Sequence, residues 1–451
     1  MPRRGTQTVA ARGRIMDYFQ GAKTWLKALT EIVTNSHSSY DTMFDEGFQF
    51  KEKPKITIHA DAQTERFTVI DHATGIFENW DEVNEVMEKY SRKHKTQTAK
   101  ARGSFGRGLS DVLYRRYENE CTIHSKKSGK GFAVKTFWSN PTNPSSDDNR
   151  PDYEEIEKFE SSVIPEHGTM ISFPWVSDIE KNNPFPNDID LVRKLCKYYE
   201  LKNVISDTRL DVELIYVGKD GKEKPAKTLE FFDYTKEDLE PPLENITLKI
   251  DYKDEDGNPI KIISARAWKA KGTRLTLSPE DEKTAGLSIE GEYKQIYDLT
   301  FFGLDSKFQS AAEHIGGVVV LSSAAKSYMD YMQNTKHPQP ILKRTREGFV
   351  VESNFYKKLK GELESWLKGI LERESYSSSA SASDTWDEGM DALNEIAEDY
   401  LEEHDGDGEE DEFKAVDLLS FANKEPSIVE GKRNRIKLRI NTDRIKVGEP
   451  V

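Results

Sequence analysis

Only two of the 451 residues are cysteines, Cys121 and Cys196. Two thiols cannot build a disulfide framework, so the expected setting is a reducing, cytoplasmic one. The chain has no apolar run long enough to cross a bilayer. Its opening, MPRRGTQTVAARGR, carries basic residues with no apolar stretch behind them, which excludes a secretory signal and reads as an exposed arm. Positive charge is also in short supply. A net charge of −15 argues against coating DNA over a wide face but leaves room for a local basic channel. Apolar residues make up 36% of the chain and charged residues 32%, a balance that suits a soluble globular protein with some extended surface segments. The length allows about two to four domains with a substantial core.

What is present is patterned. From Ile15 to Tyr40 the spacing is helical, with Trp25, Leu29, Ile32 and Val33 on one face. PKITIHADAQTERFTVID alternates on either side of a polar turn and predicts a hairpin. NWDEVNEVMEKYSRK predicts a second helix. CTIHSKKSGKGFAVKTFW predicts a second hairpin, and HGTMISFPW a further strand. Helices and antiparallel pairs in separate stretches predict an α+β fold, a sheet covered on one face by helices. Domain boundaries are expected as follows: an arm at 1–14, a first α+β region at 15–205 and a second at 206–374. The second region contains the strand-like RLDVELIYVG, NITLKIDY, KIISARAWKA, KQIYDLTFFG and GGVVVLSS. It closes with the amphipathic helix FYKKLKGELESWLKGILERE. A flexible acidic linker is expected at 375–412. The alternating RNRIKLRINTDRIKV within 413–451 reads as the start of a further β element without visible partners, as in the front part of a longer protein.

Four short motifs carry candidate chemistry. In EIVTNSHSSYD, Glu31 and Asn35 stand four apart and so share a helix face. An amide oxygen is a hard ligand suited to Mg²⁺, and a neighbouring carboxylate can orient and deprotonate water. The plainer reading is two polar surface residues. In VIDHATGI, Asp71 ends a strand and Gly75 follows in a turn. A carboxylate there can accept from an exocyclic amine, and the glycine lets backbone approach a flat ring. An Asp-initiated turn would look the same. ARGSFGRGLSDVLY spaces Gly103, Gly106 and Gly108 ahead of a helix start near Leu109, where free N–H groups favour phosphate. No Gly-Lys-Ser/Thr closes it, so it is not a P-loop. A basic stretch, KHKTQTAKAR, precedes it where a dinucleotide fingerprint needs a strand. That stretch reads as a lid bringing Lys95, Lys100, Arg102 and Arg107 towards phosphates. In HGTMISF, Gly168 and Thr169 open a strand, and the hydroxyl is placed to reach a base directly or through water.

The order of these motifs, each on the element it requires, resembles the GHKL superfamily of ATPases: gyrase, the ninety-kilodalton heat-shock chaperone, histidine kinases and MutL. The motifs span Leu26 to Phe173. The resemblance implies a two-layer α/β sandwich of Bergerat type at 15–205, followed by a transducer-like domain, with ATP and Mg²⁺ as ligands. It implies that Glu31 is the general base and Asn35 the metal ligand. Asp71, Gly75 and Thr169 would form the base pocket. Lys100, Arg102, Gly103, Phe105, Gly106, Arg107, Gly108 and Leu109 would form the lid hinge and phosphate loop. Two departures stand out: Ser38 and Ser39 replace the usual Asp-Ala after the first motif, and Ala73 replaces a glycine in the second. Neither touches metal or water, and slow hydrolysis is expected. The absence of a helical phosphoacceptor hairpin before the first motif argues against a histidine kinase. PILKRTREGFVVESNF resembles the chaperone's middle-domain segment. Arg346 is therefore the first candidate for a γ-phosphate sensor, with Lys336 the second and Arg344 a third. The implied behaviour is an ATP-dependent homodimeric clamp, with further protein partners through the C-terminal region. A DNA-engaging microrchidia- or MutL-like ATPase and a non-hydrolysing switch or scaffold are the alternatives, and nucleic-acid engagement is left open.

Overall fold

The structure is a computed structural model. It describes residues 2–6, 24–88, 108–115, 120–143, 149–156, 159, 163–164, 166–175, 185–232, 244–246, 252–253, 257, 259–270, 274–279, 282–292, 295–334, 340–343, 348–375, 419–421 and 438–440. The chain divides into two compact units, Met1–Ser375 and Tyr376–Val451.

The first helix, α1 (Trp25–Asp45), starts where Thr24 caps it, its hydroxyl accepting from the Lys27 N–H at 3.2 Å. It stops in a Schellman turn. The Gly47 N–H reaches the Phe44 carbonyl and the Phe48 N–H the Met43 carbonyl, with Gly47 at φ +76°. The expected hairpin is β2 (Lys55–Asp61) and β3 (Arg66–Asp71), in which Ile56, Ile58, Phe67 and Val69 face inward. Asp61 stabilises the turn by accepting from the Gln63 and Thr64 N–H groups. Next come α2 (Trp80–Met87), α3 (Gly108–Leu113), β4 (Cys121–Lys127), β5 (Lys130–Trp138), β6 (Pro151–Glu155) and β7 (Gly168–Pro174). Then follow α4 (Asp188–Lys197), a 3-10 turn (Tyr199–Leu201), α5 (Lys202–Ile205), β8 (Asp211–Val217) and β9 (Lys227–Thr228).

With β1 (Arg4–Thr6) these strands form one nine-stranded sheet in the order β1-β6-β5-β4-β7-β3-β2-β8-β9. Every pairing is antiparallel except β2 with β8. α1 packs against β2, β3 and α3. The opposite face is polar: Thr68 donates to the Ser172 hydroxyl at 3.0 Å, and Arg66 reaches the same hydroxyl.

The described part of the arm is exposed, as expected, and Arg4–Thr6 is in addition an edge strand on β6. Arg3 forms a two-pronged bond to Glu155 at 3.0 and 3.1 Å and stands over the rings of Trp80 and Phe132. Gly5 lies so close to the Tyr153 ring that a Cβ would meet it at 2.4 Å. One expectation is corrected: the boundary expected at 205/206 shifts. RLDVELIYVG belongs to the first sheet, because β8 pairs with β2 in parallel. A parallel partner this far along the chain leaves no local sequence signal.

The second region of this unit holds β10 (Glu244–Ile246), β13 (Ile262–Lys269), β14 (Gly286–Gly291), β15 (Ile296–Thr300) and β16 (Ile315–Leu321) in a five-stranded sheet ordered β10-β13-β16-β14-β15. A separate two-stranded ladder pairs β11 (Tyr252–Lys253) with β12 (Pro259–Ile260). The helices are α6 (Gln309–Ala312), α7 (Ser323–Asn334) and α8 over 354–375. The predicted amphipathic pattern of α8 is realised: Phe355, Leu359, Leu363, Leu367, Ile370 and Leu371 join one apolar core. Leu299 of β15 instead belongs to the core of the first sheet. In the second unit, β17 (Leu419–Phe421) pairs antiparallel with β18 (Leu438–Ile440). The terminal strand expected to stand alone therefore has a partner. Among the described residues no helix is long and apolar enough to cross a membrane.

Candidate nucleotide site

Strand alternation builds the site. The inward row of β3 runs Phe67, Val69, Asp71; that of β7 runs Phe173, Ile171, Thr169; that of β4 runs Cys121, Ile123, Ser125. Register sets Asp71 opposite Thr169, and Thr169 opposite Ser125. Three adjacent strands thus each end an apolar row with a polar side chain at the same edge of the core. All three residues are buried. Such a row is costly unless each group is satisfied.

Asp71 and Ser125 have identified partners. Ser36 on α1 donates its hydroxyl to Asp71 Oδ2 at 2.6 Å, and the Ala73 N–H donates to Oδ1 at 3.0 Å. Burial pushes the Asp71 carboxyl above its ordinary value. Hydrogen bonds from Ser36 and from the Ala73 and Thr169 N–H groups offset part of that rise, as does the nearby His72. The Ser125 hydroxyl accepts from the Ile76 and Phe77 N–H groups at 2.8 and 3.0 Å, pinning the turn after Asp71. Tyr40 braces the end of β3. Its hydroxyl donates to the Lys55 carbonyl at 2.9 Å and accepts from the His72 N–H at 2.8 Å. His167 Nδ1 donates to the Ala73 carbonyl at 2.8 Å.

Two glycines cross at this point. Gly75 has φ +75°, and a Cβ there would lie 2.3 Å from the Lys126 carbonyl oxygen. Gly168 has φ +136°, and its Cβ would lie 2.1 Å from the Asp71 carbonyl oxygen. Both positions require glycine for conformation and for space.

Glu31 and Asn35 lie on α1, upstream of and next to Ser36. Glu31 is buried and Asn35 exposed. Gly108 opens α3, and Leu109 packs partly buried against the first core. Because α3 rests on α1, the end of the glycine loop is anchored beside the Glu31 helix. Lys95, Lys100, Arg102, Gly103, Phe105, Gly106 and Arg107 lie outside the described residues, as do Lys336, Arg344 and Arg346. Of the two departures noted in the sequence, Ser39 bonds the Thr74 hydroxyl at 3.0 Å and so ties the helix to the Asp71–Gly75 turn. Ala73 is fully buried between Asp71 and His167.

Sequence reasoning did not single out Ser36, Tyr40, Ser125 or His167. The polar ends of the apolar rows in β4 and β7 were the available signal. It also did not find a buried charge cluster on the same helix. His37, Asp41 and Asp207 bring possible ligand atoms within 4.8 Å of one another. Arg209 already occupies this cluster, bonded to both Asp41 and Asp207. His37 Nε2 lies 2.9 Å from Asp207. Burial works against a charged Asp207, but hydrogen bonds from His37 and Arg209 outweigh it and hold the carboxyl well below its usual range. The cluster is a clamp between α1 and the chain entering β8, with its cation supplied by the protein.

In comparisons with known proteins, no family model matches the chain, and no curated protein matches it.

Proposed function

We propose that this chain binds ATP with Mg²⁺ and hydrolyses it as a GHKL-type ATPase with a Bergerat-type fold, acting as a nucleotide-driven clamp. The observation that carries the reading is the convergence, around one buried carboxylate, of three of the four motifs. Ser36 from the Glu31 helix, the Asp71–Gly75 turn and the Gly168–Thr169 strand start all meet there.

An ionised carboxylate offers about four acceptor positions. Ser36, Ala73 and Thr169 use three, which leaves one for an exocyclic amine N–H such as that of adenine. The crossed glycines supply flat backbone where a ring lies. Glu31, nearly sealed from solvent, orients the attacking water and takes its proton. Asn35 offers an exposed amide oxygen with room for water ligands, a donor set that fits Mg²⁺. When bound there, Mg²⁺ neutralises charge on the phosphate oxygens. Arg346, with Lys336 and Arg344 as the other candidates, answers the γ-phosphate from the second region. Differential binding of that phosphate closes two subunits, and its loss reopens them.

The test measures phosphate release, nucleotide binding and sedimentation together. Glu31→Ala is expected to lower turnover by about 10²–10⁴-fold while keeping ATP binding. A non-hydrolysable analogue is expected to raise the dimer fraction of the unsubstituted protein. Absence of turnover in that protein overturns the hydrolytic reading, and a monomer that ignores the analogue overturns the clamp.

A further inference from the structure

A hydroxyl inside a helix can spend its hydrogen on the carbonyl four residues back. Two hydroxyls of α1 do this: Thr30 donates to the Leu26 carbonyl at 2.8 Å and Thr42 to the Ser38 carbonyl at 3.1 Å. Ser36 and Ser39 reach out of the helix instead. The Ser36 hydroxyl goes to Asp71 Oδ2 at 2.6 Å, and Ser39 meets the Thr74 hydroxyl at 3.0 Å. Tyr40 completes the face, its hydroxyl accepting from the His72 N–H at 2.8 Å. Positions 36, 39 and 40 have the spacing of one helix face, and together they tie α1 to the turn that starts at Asp71.

The consequence falls on one carboxylate. Asp71 has a donor on each oxygen, and the two come from different elements: Ser36 of α1 on Oδ2 and, at 3.0 Å, the Ala73 N–H of the turn on Oδ1. Turning the group about its Cβ–Cγ bond therefore breaks a buried hydrogen bond. The backbone beneath it is also fixed. Asp71 of β3 pairs with Thr169 of β7, and the Ser125 hydroxyl holds the Ile76 and Phe77 N–H groups. Asp71 is 4% exposed and Ser36 5%, so little water is at hand to replace a lost partner.

We propose that Ser36 is a specificity-determining residue for the purine base: by committing Oδ2 to α1 it leaves Asp71 a single acceptor for the base, and so selects adenine over guanine. Adenine needs no more, since its exocyclic amine offers one N–H to that acceptor. Guanine presents a carbonyl oxygen where adenine carries the amine. Its N1–H and exocyclic N–H stand side by side and need two acceptors. With Oδ2 taken, one of those donors is buried unpaired, which is how a polar site rejects a near-analogue. This inference rests on the nucleotide reading of the site and adds to it the residue that decides the purine.

The experiment uses the full chain and measures dissociation constants for ATP, GTP and inosine triphosphate with Mg²⁺ by isothermal titration. Inosine triphosphate has the carbonyl and N1–H of guanine but lacks the exocyclic amine, so comparing it with GTP isolates the second donor. The unsubstituted protein is expected to bind ATP at least about tenfold more tightly than GTP, and GTP no more tightly than inosine triphosphate. In Ser36→Ala the freed oxygen accepts the second donor, and GTP is expected to gain at least about tenfold over inosine triphosphate. Ser36→Cys nearly keeps the volume but is a weak donor, and it is expected to move the ratio the same way. Tyr40→Phe loosens the turn and leaves both bonds to the carboxylate in place, so it is expected to weaken all three nucleotides alike.

A protein that binds ATP but keeps its ratio of GTP to inosine triphosphate affinity in Ser36→Ala or, should that variant not fold, in Ser36→Cys overturns the inference. Parallel weakening of the three nucleotides in those variants does the same, being the mark of a serine that only holds structure. So does an unsubstituted protein that binds GTP as tightly as ATP. A protein that binds none of the three overturns the nucleotide reading itself, and the inference falls with it. A shift of the ratio in the Ser36 variants that is absent from Tyr40→Phe supports it.

Discussion

The two larger sheets of the first unit solve the same packing problem with different interiors. The five-stranded sheet and α8 close over an almost wholly aliphatic and aromatic core, and among the described residues its buried charges are few: Lys283, Glu290 and Lys326. The nine-stranded region buries Lys27, Glu31, His37, Asp71, Asp111, Arg115, His124, Asp152 and Asp207. Packing alone gives no reason for that difference, since buried charge is weak evidence for stability and costs energy unless well paired. Three of these groups, Lys27, Glu31 and His37, lie on α1, the helix that also carries Ser36 to the Asp71 carboxylate.

The comparison can be broken most directly with glycine. Gly168 and Gly303 both have positive φ, but a Cβ at Gly168 meets backbone at 2.1 Å, whereas at Gly303 it meets nothing within 4 Å. Gly168→Ala is expected to cost about 4 kcal/mol, from strain and overpacking together, and Gly303→Ala about 1 kcal/mol from backbone strain alone. Denaturant unfolding checks both, and equal losses would remove the distinction between a site wall and an open turn.

The next largest effect concerns ion pairs. Asp207→Asn removes the acceptor shared by His37 and Arg209 and is expected to cost about 2 kcal/mol, a value reduced because Arg209 is partly exposed. The folded carboxyl titrates below its unfolded value. Its stabilisation is therefore complete above the unfolded pKa, about 4, and fades as pH falls below that. Melting curves from pH 7 to pH 3 should show the acid loss shrinking in Asp207→Asn. Glu372→Gln, in the exposed Lys368–Glu372 pair of α8, should leave the curve in place.

The smallest effect is the most specific to the site. Asp71→Asn preserves shape and changes one oxygen to a donor, and it is expected to weaken ATP binding by about tenfold. Isothermal titration against both ATP and GTP reads this, and unchanged affinity for ATP would take Asp71 out of the base pocket.

Much of the local structure was legible before any fold was known. The alternation in β2 and β3 and the stripe of α8 are short-range patterns, and each formed where the sequence placed it. The candidate residues Glu31, Asn35, Asp71, Gly75 and Thr169 could also be read, because their spacing along single elements is local. Less legible was who satisfies whom. Asp71 is held by Ser36 from 35 positions away. Ser125 catches the turn at Ile76 from 49 positions away.

The sequence by itself determined the elements, their inward faces and the residue types at the end of each row, since these depend on periods of two and 3.6 that neighbours alone enforce. Only the tertiary structure decided that three strand ends would line up as one polar edge. It likewise returned RLDVELIYVG to the first sheet, and it set Lys27 on Glu200, 173 positions away. Strand order, a parallel pairing and the docking of distant turns are settled by global burial and register, and those leave no periodic trace in the chain.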